Sequence, residues 1–387
     1  MGKYNFDIHT NRRGSGSTKW DDTPEGVVPM WCADMDFDVA PPIVEAVQKR
    51  AAHPNFGYSV DVSKTLNPIL VNHYKKKFNA DIKPEWIMWI PCVIGGCETA
   101  LEMLNSTFMY CIPMYGHTRG LTNEAQLPVI EVPTKRINNR YTMDEAALEA
   151  AITPETKAFL ICNPHNPIGS MYDREELEMI QRFCEKHNLI VISDEIHCEF
   201  ELDKKHIPYF SVNETAAQNS ITVCSAGKSC NIPGLPWAFA IIPNDDLRKR
   251  FMAKQVGRQQ PANVFTAAAY EKAFDGSCDE WKAELLDYLR GNRDYLEERI
   301  SQIEGLSMTH VEGTYLAWID CSALQVEDTE DFFMEAAKVQ LIRGNAMDLD
   351  PTHTRLNFGC PRAQLVEALD RIEAAVKKRL QELAEQA

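Results

Sequence analysis

Short apolar runs of strand length alternate along this chain with amphipathic stretches of helical period, the pattern of an α/β protein with a largely parallel sheet. Lys157-Ala-Phe-Leu-Ile-Cys reads as a strand that stops at Asn163-Pro164. The stretch from Asp173 to His187 then reads as a helix, with Asp173 as its N-cap. Leu189-Ile-Val-Ile-Ser and Ile221-Thr-Val-Cys-Ser read as further strands. In such sheets ligands gather beyond the carboxyl ends of the strands, so the polar residues that follow these runs are the first candidates for chemistry: Asn166, Asp194 and Lys228.

Asp275 to Arg299 reads as one long helix, with Trp281, Leu285, Tyr288, Leu289 and Leu296 at its apolar positions. A closing helix is predicted from Arg362 to Glu385, where Leu365, Leu369, Ile372, Val376 and Leu380 recur at spacings of three and four. A chain of 387 residues exceeds what one core usually fills, so two domains are expected. The reading places a large domain at 46–285 and a smaller one at 286–387, with segment 1–45 folded back on the smaller.

Composition narrows the function classes. A formal charge of −16 argues against a nucleic-acid partner, which calls for clustered Lys and Arg. The start, Met1-Gly-Lys-Tyr-Asn-Phe-Asp, carries no apolar run of signal-peptide length, and no apolar stretch is long enough to span a bilayer. None of the twelve cysteines forms a C-x-x-C pair and no H-E-x-x-H occurs, so no metal site is expected. Most cysteines lie inside apolar segments, such as Cys111, Cys162 and Cys224, which fits a reduced cytoplasmic protein.

Three segments carry candidate chemistry. Ser225-Ala-Gly-Lys228-Ser229-Cys-Asn231 follows a strand in a turn of small residues, which lets backbone approach a ligand, and Lys228 is the sole lysine between Lys205 and Lys249. Taken alone it is as readily a surface lysine. Ser193-Asp194-Glu195-Ile196-His197 ends another strand; a lone Asp there is commonly a helix cap. Asn163-Pro-His-Asn166-Pro-Ile-Gly169 is a turn on any reading. Together they offer what a pyridoxal-phosphate (PLP) site requires: an amine to bond the cofactor and an acid to keep its pyridine nitrogen protonated. Such a site also needs a phosphate cradle at a helix start and an arginine fork for an amino acid's carboxylate.

In this order, and with Thr354-Arg355-Leu-Asn-Phe-Gly-Cys-Pro-Arg after them, these segments resemble the fold-type I PLP enzymes. More narrowly the chain is similar to the MalY/PatB-type carbon–sulfur β-lyases, the cystathionine β-lyase relatives of the class I/II aminotransferases. Pro29-Met-Trp-Cys-Ala-Asp-Met-Asp-Phe, Asn55-Phe-Gly-Tyr58, Glu312-Gly-Thr-Tyr-Leu-Ala-Trp and Arg290-Gly-Asn-Arg-Asp-Tyr carry that match. The resemblance implies the aspartate-aminotransferase-like fold: a mainly parallel seven-stranded sheet flanked by helices, with a small α/β domain, in a homodimer. It implies Lys228 as the lysine bonded to PLP and Asp194 as partner of the pyridine nitrogen. Asn166 and His197 would face the phenolic oxygen, Ile196 would pack under the ring and Tyr115 would stack on it. Ser225 and the turn Val93-Ile94-Gly95 would hold the phosphate, reached also by Tyr58 of the other subunit, and Arg355 would bind the substrate carboxylate.

The chain departs from the family pattern at Gly95, Ser170, Gly227, Cys230 and Pro236. The activity implied is α,β-elimination of L-cystathionine or related cysteine S-conjugates to pyruvate, ammonia and a thiol. Two alternatives stand beside it: an aminotransferase, and a regulatory PLP protein.

Overall fold

Strands rich in apolar residues on both faces must be covered on both faces, and that requirement organises the larger part of the chain. The structure, a computed structural model, describes residues 2–386 other than 117, 119–126, 258–261 and 348–350. Its central sheet consists of β1 (Ile87–Ile90), β2 (Thr107–Ile112), β3 (Val129–Pro133), β4 (Thr156–Cys162), β5 (Ile190–Asp194), β6 (Ser220–Cys224) and β7 (Ala238–Ile241). They lie in the order β1-β7-β6-β5-β4-β2-β3. β7 runs antiparallel to both its neighbours and every other pair is parallel, as expected for this fold.

Successive side chains point to opposite faces, so one strand feeds two cores. Phe108 and Tyr110 of β2 join one core with Ala100 and Leu101 of helix α1 (Val93–Leu104). Met109 and Cys111 join the other with Leu177, Ile180 and Phe183 of helix α2 (Arg174–His187). Asp173 caps α2 as the sequence predicts: its carboxylate accepts from Glu176 N at 3.0 Å, and the Glu176 carboxylate accepts from Asp173 N at 3.0 Å.

A second, antiparallel sheet holds β8 (Ser307–Met308), β9 (Leu316–Asp320), β10 (Ile342–Arg343) and β11 (His353–Asn357), in the order β8-β9-β11-β10. The N-terminal segment runs beside it. Val28–Pro29 pairs in parallel with Val339–Gln340, and Met30 O accepts from Asn357 N at 2.8 Å. That course carries residues 31–36 past the carboxyl ends of the central strands.

Helix α3 spans Asp279–Gln302 and helix α4 spans Arg362–Gln386. The expected start of α3 at Asp275 is four residues early. Asp275 instead ends the preceding helix, Val264–Phe274, and Gly276 follows at φ +95°, a conformation that interrupts helical continuation. Among the described residues no helix is long and apolar enough to cross a membrane.

Candidate functional site

A cavity of about 1020 Å³ opens where the N-terminal segment, the lysine turn and β11 converge; Trp31, Cys32, Asp34, Tyr115, Lys228 and Arg355 are among its lining residues. After β6 the chain turns extended at Ser225 and coils once through Ala226–Ser229. The Ser225 hydroxyl accepts from Gly227 N at 2.9 Å, donates to Trp237 O at 2.7 Å and meets the Tyr270 hydroxyl at 2.8 Å. It therefore works here as the N-cap of the lysine turn. Gly227 suits this cap, since a Cβ there would lie 3.1 Å from the Ser225 oxygen.

Lys228 is directed into the cavity and its ammonium nitrogen donates to Ala33 O. Burial pulls its pKa below the ordinary lysine value, and the nearby Arg355 cation adds to the effect against the opposing pull of Cys32, Asp34 and Asp194. Asp194, at the end of β5, is buried as well, and burial raises its carboxyl to about 6 while a 3.0 Å bond from Ile196 N opposes the rise. Ile196 packs against the core beneath.

His197 is buried with Nδ1 lacking any hydrogen-bond partner. Burial, reinforced by the Lys228 and Arg355 cations, holds its imidazole neutral, well below its usual pKa. Arg355 reaches back from β11. Its Nη1 donates to Asn166 Oδ1 at 3.1 Å, its Nη2 donates to Trp31 O at 3.0 Å, and its Nε is buried without a partner. Tyr115 stands half-buried on the cavity wall, its hydroxyl pushed up by burial and eased by Arg355.

The turn that presents Asn166 is braced from three sides. His165 bonds the Tyr172 hydroxyl at 2.7 Å and Pro113 O at 2.9 Å, and Asn163 N donates to Asp194 O at 2.9 Å. Gly169, at φ +70°, accepts from both Glu312 N and Gly313 N; a Cβ on Gly313 would fall 2.8 Å from Pro164. Ser170, where the family pattern has arginine, donates to Tyr141 O at 2.8 Å.

Val93, Ile94 and Gly95 form the first turn of α1 at the carboxyl end of β1, with Cys92 as N-cap, its sulfur 3.3 Å from Gly95 N. The neighbouring Gly96 lets the helix begin this close, for a Cβ there would meet Ile90 Cδ1 at 2.4 Å. Tyr58 stands apart. It is fully exposed in an irregular segment beside exposed Phe56 and Val60, and the chain by itself does not carry it to the cavity.

Several residues that shape the cavity were not singled out from the sequence. Asp36 accepts from Lys19 Nζ at 2.7 Å, Arg12 Nη1 at 2.7 Å, Trp20 Nε1 at 2.8 Å and Gln364 Nε2 at 3.0 Å. Burial alone would raise this carboxyl, but Lys19, Trp20 and Arg12 outweigh it and hold it below its usual range. Arg12 also bonds Asp34. Asp34 and Asp36 stand in the quoted motif at 29–37, but nothing in it names Arg12 and Lys19 as their partners. Tyr315 and Asn357, which fix the Cys32–Asp34 backbone, lie inside the quoted motifs at 312–318 and 354–362, where no role was read for them.

The profile of the aminotransferase class I and II family matches residues 30–372. Cystathionine beta-lyase PatB of Bacillus subtilis (strain 168) is 31% identical over 387 residues, covering 96% of this chain and 100% of that protein. Protein MalY of Escherichia coli (strain K12) is 28% identical over 97% of this chain and 99% of its own length. Among solved structures, that of OvoB is 36% identical, with a TM-score of 0.93 over 96% of this chain and 99% of that one. The structure of cystalysin from Treponema denticola, which contains a pyridoxal 5'-phosphate cofactor, is 25% identical, with a TM-score of 0.91 over 97% and 99%.

Proposed function

The chain belongs to the class I and II aminotransferase family, and on that premise we propose that it is a PLP-dependent carbon–sulfur β-lyase. Its substrates are L-cystathionine and related cysteine S-conjugates, and its products are pyruvate, ammonia and a thiol. The observation that carries the reading is that Lys228 and Arg355 line one cavity while the buried carboxyl of Asp194 lies close enough to act on the Lys228 charge, in a chain alike over 96% of its length to a cystathionine β-lyase.

The residues present fit the cofactor. A half-buried amine of lowered pKa, a buried acid, an unpartnered imidazole nitrogen on His197 and an unpartnered guanidinium nitrogen on Arg355 are costly in a protein interior unless a ligand meets them. Lys228 would bond the cofactor and Asp194 its ring nitrogen. Asn166 and His197 would meet its phenolic oxygen, with Ile196 and Tyr115 on the two faces of its ring. Ser225 and the turn Val93-Ile94-Gly95 at the start of α1 would hold its phosphate. When bound, PLP supplies an electron sink for charge developing at the substrate's α-carbon.

The chain does the rest. Arg355 offers a planar fork to the substrate carboxylate and so turns the α-hydrogen toward Lys228. Lys228, whose lowered pKa leaves a larger neutral fraction, removes the α-proton. Asp194, once ionised, would keep the ring nitrogen protonated. The electron pair of the α-C–H bond forms the α,β double bond as the sulfur group departs with the C–S pair as thiolate, and water hydrolyses the released enamine to pyruvate and ammonia.

The proposal includes a homodimer in which Tyr58 reaches the partner's phosphate site; its support is the exposure of Phe56, Tyr58 and Val60. It also keeps the division into 1–45, 46–285 and 286–387. Borohydride reduction of the purified protein followed by peptide mapping tests the lysine. A pyridoxyl adduct on Lys228 is expected, and an adduct on another lysine overturns the assignment.

A further inference from the structure

Three stretches of chain far apart in sequence meet at one backbone oxygen. Ala33 O accepts from Lys228 Nζ and, at 2.8 Å, from the Tyr315 hydroxyl. The carbonyls on either side are pinned by a single amide: Asn357 Nδ2 donates to Cys32 O at 2.6 Å and to Asp34 O at 2.8 Å. Asn231, three residues beyond Lys228, ties the same segment to the lysine turn, donating to Met35 O at 3.0 Å and accepting from Met35 N at 2.9 Å. Tyr315 is held too. Its ring stands edge-on to Phe200 at 4.8 Å and to His197 at 5.8 Å, and its carbonyl accepts from Phe358 N at 2.9 Å.

We propose that Ala33 O is the acceptor that receives the amine of Lys228 whenever that amine is free during turnover, and that Tyr315 is a positioning residue that fixes this oxygen. The proposal rests on the role given to Lys228 above. A carbonyl oxygen offers two lone pairs, and here one serves the amine and the other the phenol. An amine donating N–H to a fixed oxygen keeps its own lone pair on the side away from that oxygen, so the base is aimed. A four-carbon chain without such an anchor spreads over many rotamers. The Tyr315 hydroxyl also shares the oxygen's electron density, so the strength of its donation sets how well Ala33 O holds the amine's protons.

Competitive acetylation of Lys228 in the full-length, cofactor-free chain, read by mass spectrometry across pH, isolates the contact. Tyr315→Phe gives Ala33 O wholly to the ammonium, and the Lys228 midpoint is expected to rise by about half a pH unit. In the cofactor-loaded enzyme the same variant should lower kcat about ten-fold with KM within about two-fold. Site-specific 3-fluorotyrosine at 315, a stronger donor of the same shape, should move the midpoint down, and it serves alone should the Phe variant not fold. Midpoints that stay at the wild-type value, or shift in the same direction for both replacements, overturn the proposal. The labelling needs no cofactor, so its failure is distinct from a borohydride adduct found on a different lysine.

Discussion

Arg355 and Asn166, 189 residues apart, are joined by a 3.1 Å hydrogen bond that ties the second sheet to the turn after β4. The arginine is thereby held with one guanidinium edge spent on protein and with Nε unpartnered. A lysine cannot span Asn166, Trp31 O and a carboxylate together, because its ammonium is a point donor rather than a fork. Arg355→Lys should therefore weaken amino-acid binding about 100-fold, roughly the 2–3 kcal/mol of a lost charge-assisted pair. Titrating the cofactor absorbance change with substrate reads this. Altered stability with normal substrate affinity would instead assign Arg355 a local structural role.

Asp194 gives a pH signature. Its carboxyl lies near 6 in the cofactor-free fold against an ordinary 3.8, so the fold favours its protonated form. That contribution is fully present below about pH 4 and is lost as pH rises through about 6, on the order of 3 kcal/mol in all. Asp194→Asn removes it. The wild-type minus variant difference in unfolding free energy should fall between pH 4 and 7, as measured by urea denaturation of both cofactor-free chains, and a flat difference contradicts the burial argument. The variant should also bind cofactor weakly.

The fold and the placement of Asn166, Asp194 and Lys228 at strand ends were legible because the apolar runs before them are plain, as at Ile161-Cys162, Ser193-Asp194 and Cys224-Ser225, whereas Arg355 lies inside β11 and was pointed to by the resemblance alone. Helix α2 was legible to the residue because Asp173 and Glu176 form a capping box. The start of α3 was not, since Asp275 is a ready N-cap in the sequence, whereas the helix begins at Asp279 behind Cys278, which makes no capping bond, and only the left-handed Gly276 marks the break. The wall built by Arg12, Lys19, Asp34 and Asp36 was hidden for a different reason. These groups meet through an irregular segment, where no helical or strand period announces which charges become partners.

Lys19 and Asp36 form a buried ion pair at 2.7 Å. Lys19→Met leaves the Asp36 charge short of its main counter-ion and should destabilise the protein by about 3 kcal/mol. Adding Asp36→Asn should recover part of the loss. Denaturant midpoints of the single and double variants check both, and full additivity of the two losses would contradict the pairing.

The cross-subunit role of Tyr58 makes a complementation prediction. Lys228→Ala and Tyr58→Phe chains, each impaired alone, should regain activity when dissociated and reassociated together, because mixed dimers hold one site free of both substitutions. Activity no greater than the average of the two parents would put Tyr58 outside the partner's site.

The central claim is elimination at carbon–sulfur bonds. Elimination requires only that charge at the α-carbon persist until the thiolate departs, whereas transamination also needs accurate return of a proton to the cofactor. The measurement is incubation of the purified, PLP-loaded protein with L-cystathionine and no added keto acid, following pyruvate, ammonia and homocysteine over time. The account predicts equal release of all three over many turnovers, abolished in Lys228→Ala. A single turnover that stops with the cofactor as pyridoxamine phosphate, and resumes only when a keto acid is supplied, would contradict it and make the protein an aminotransferase.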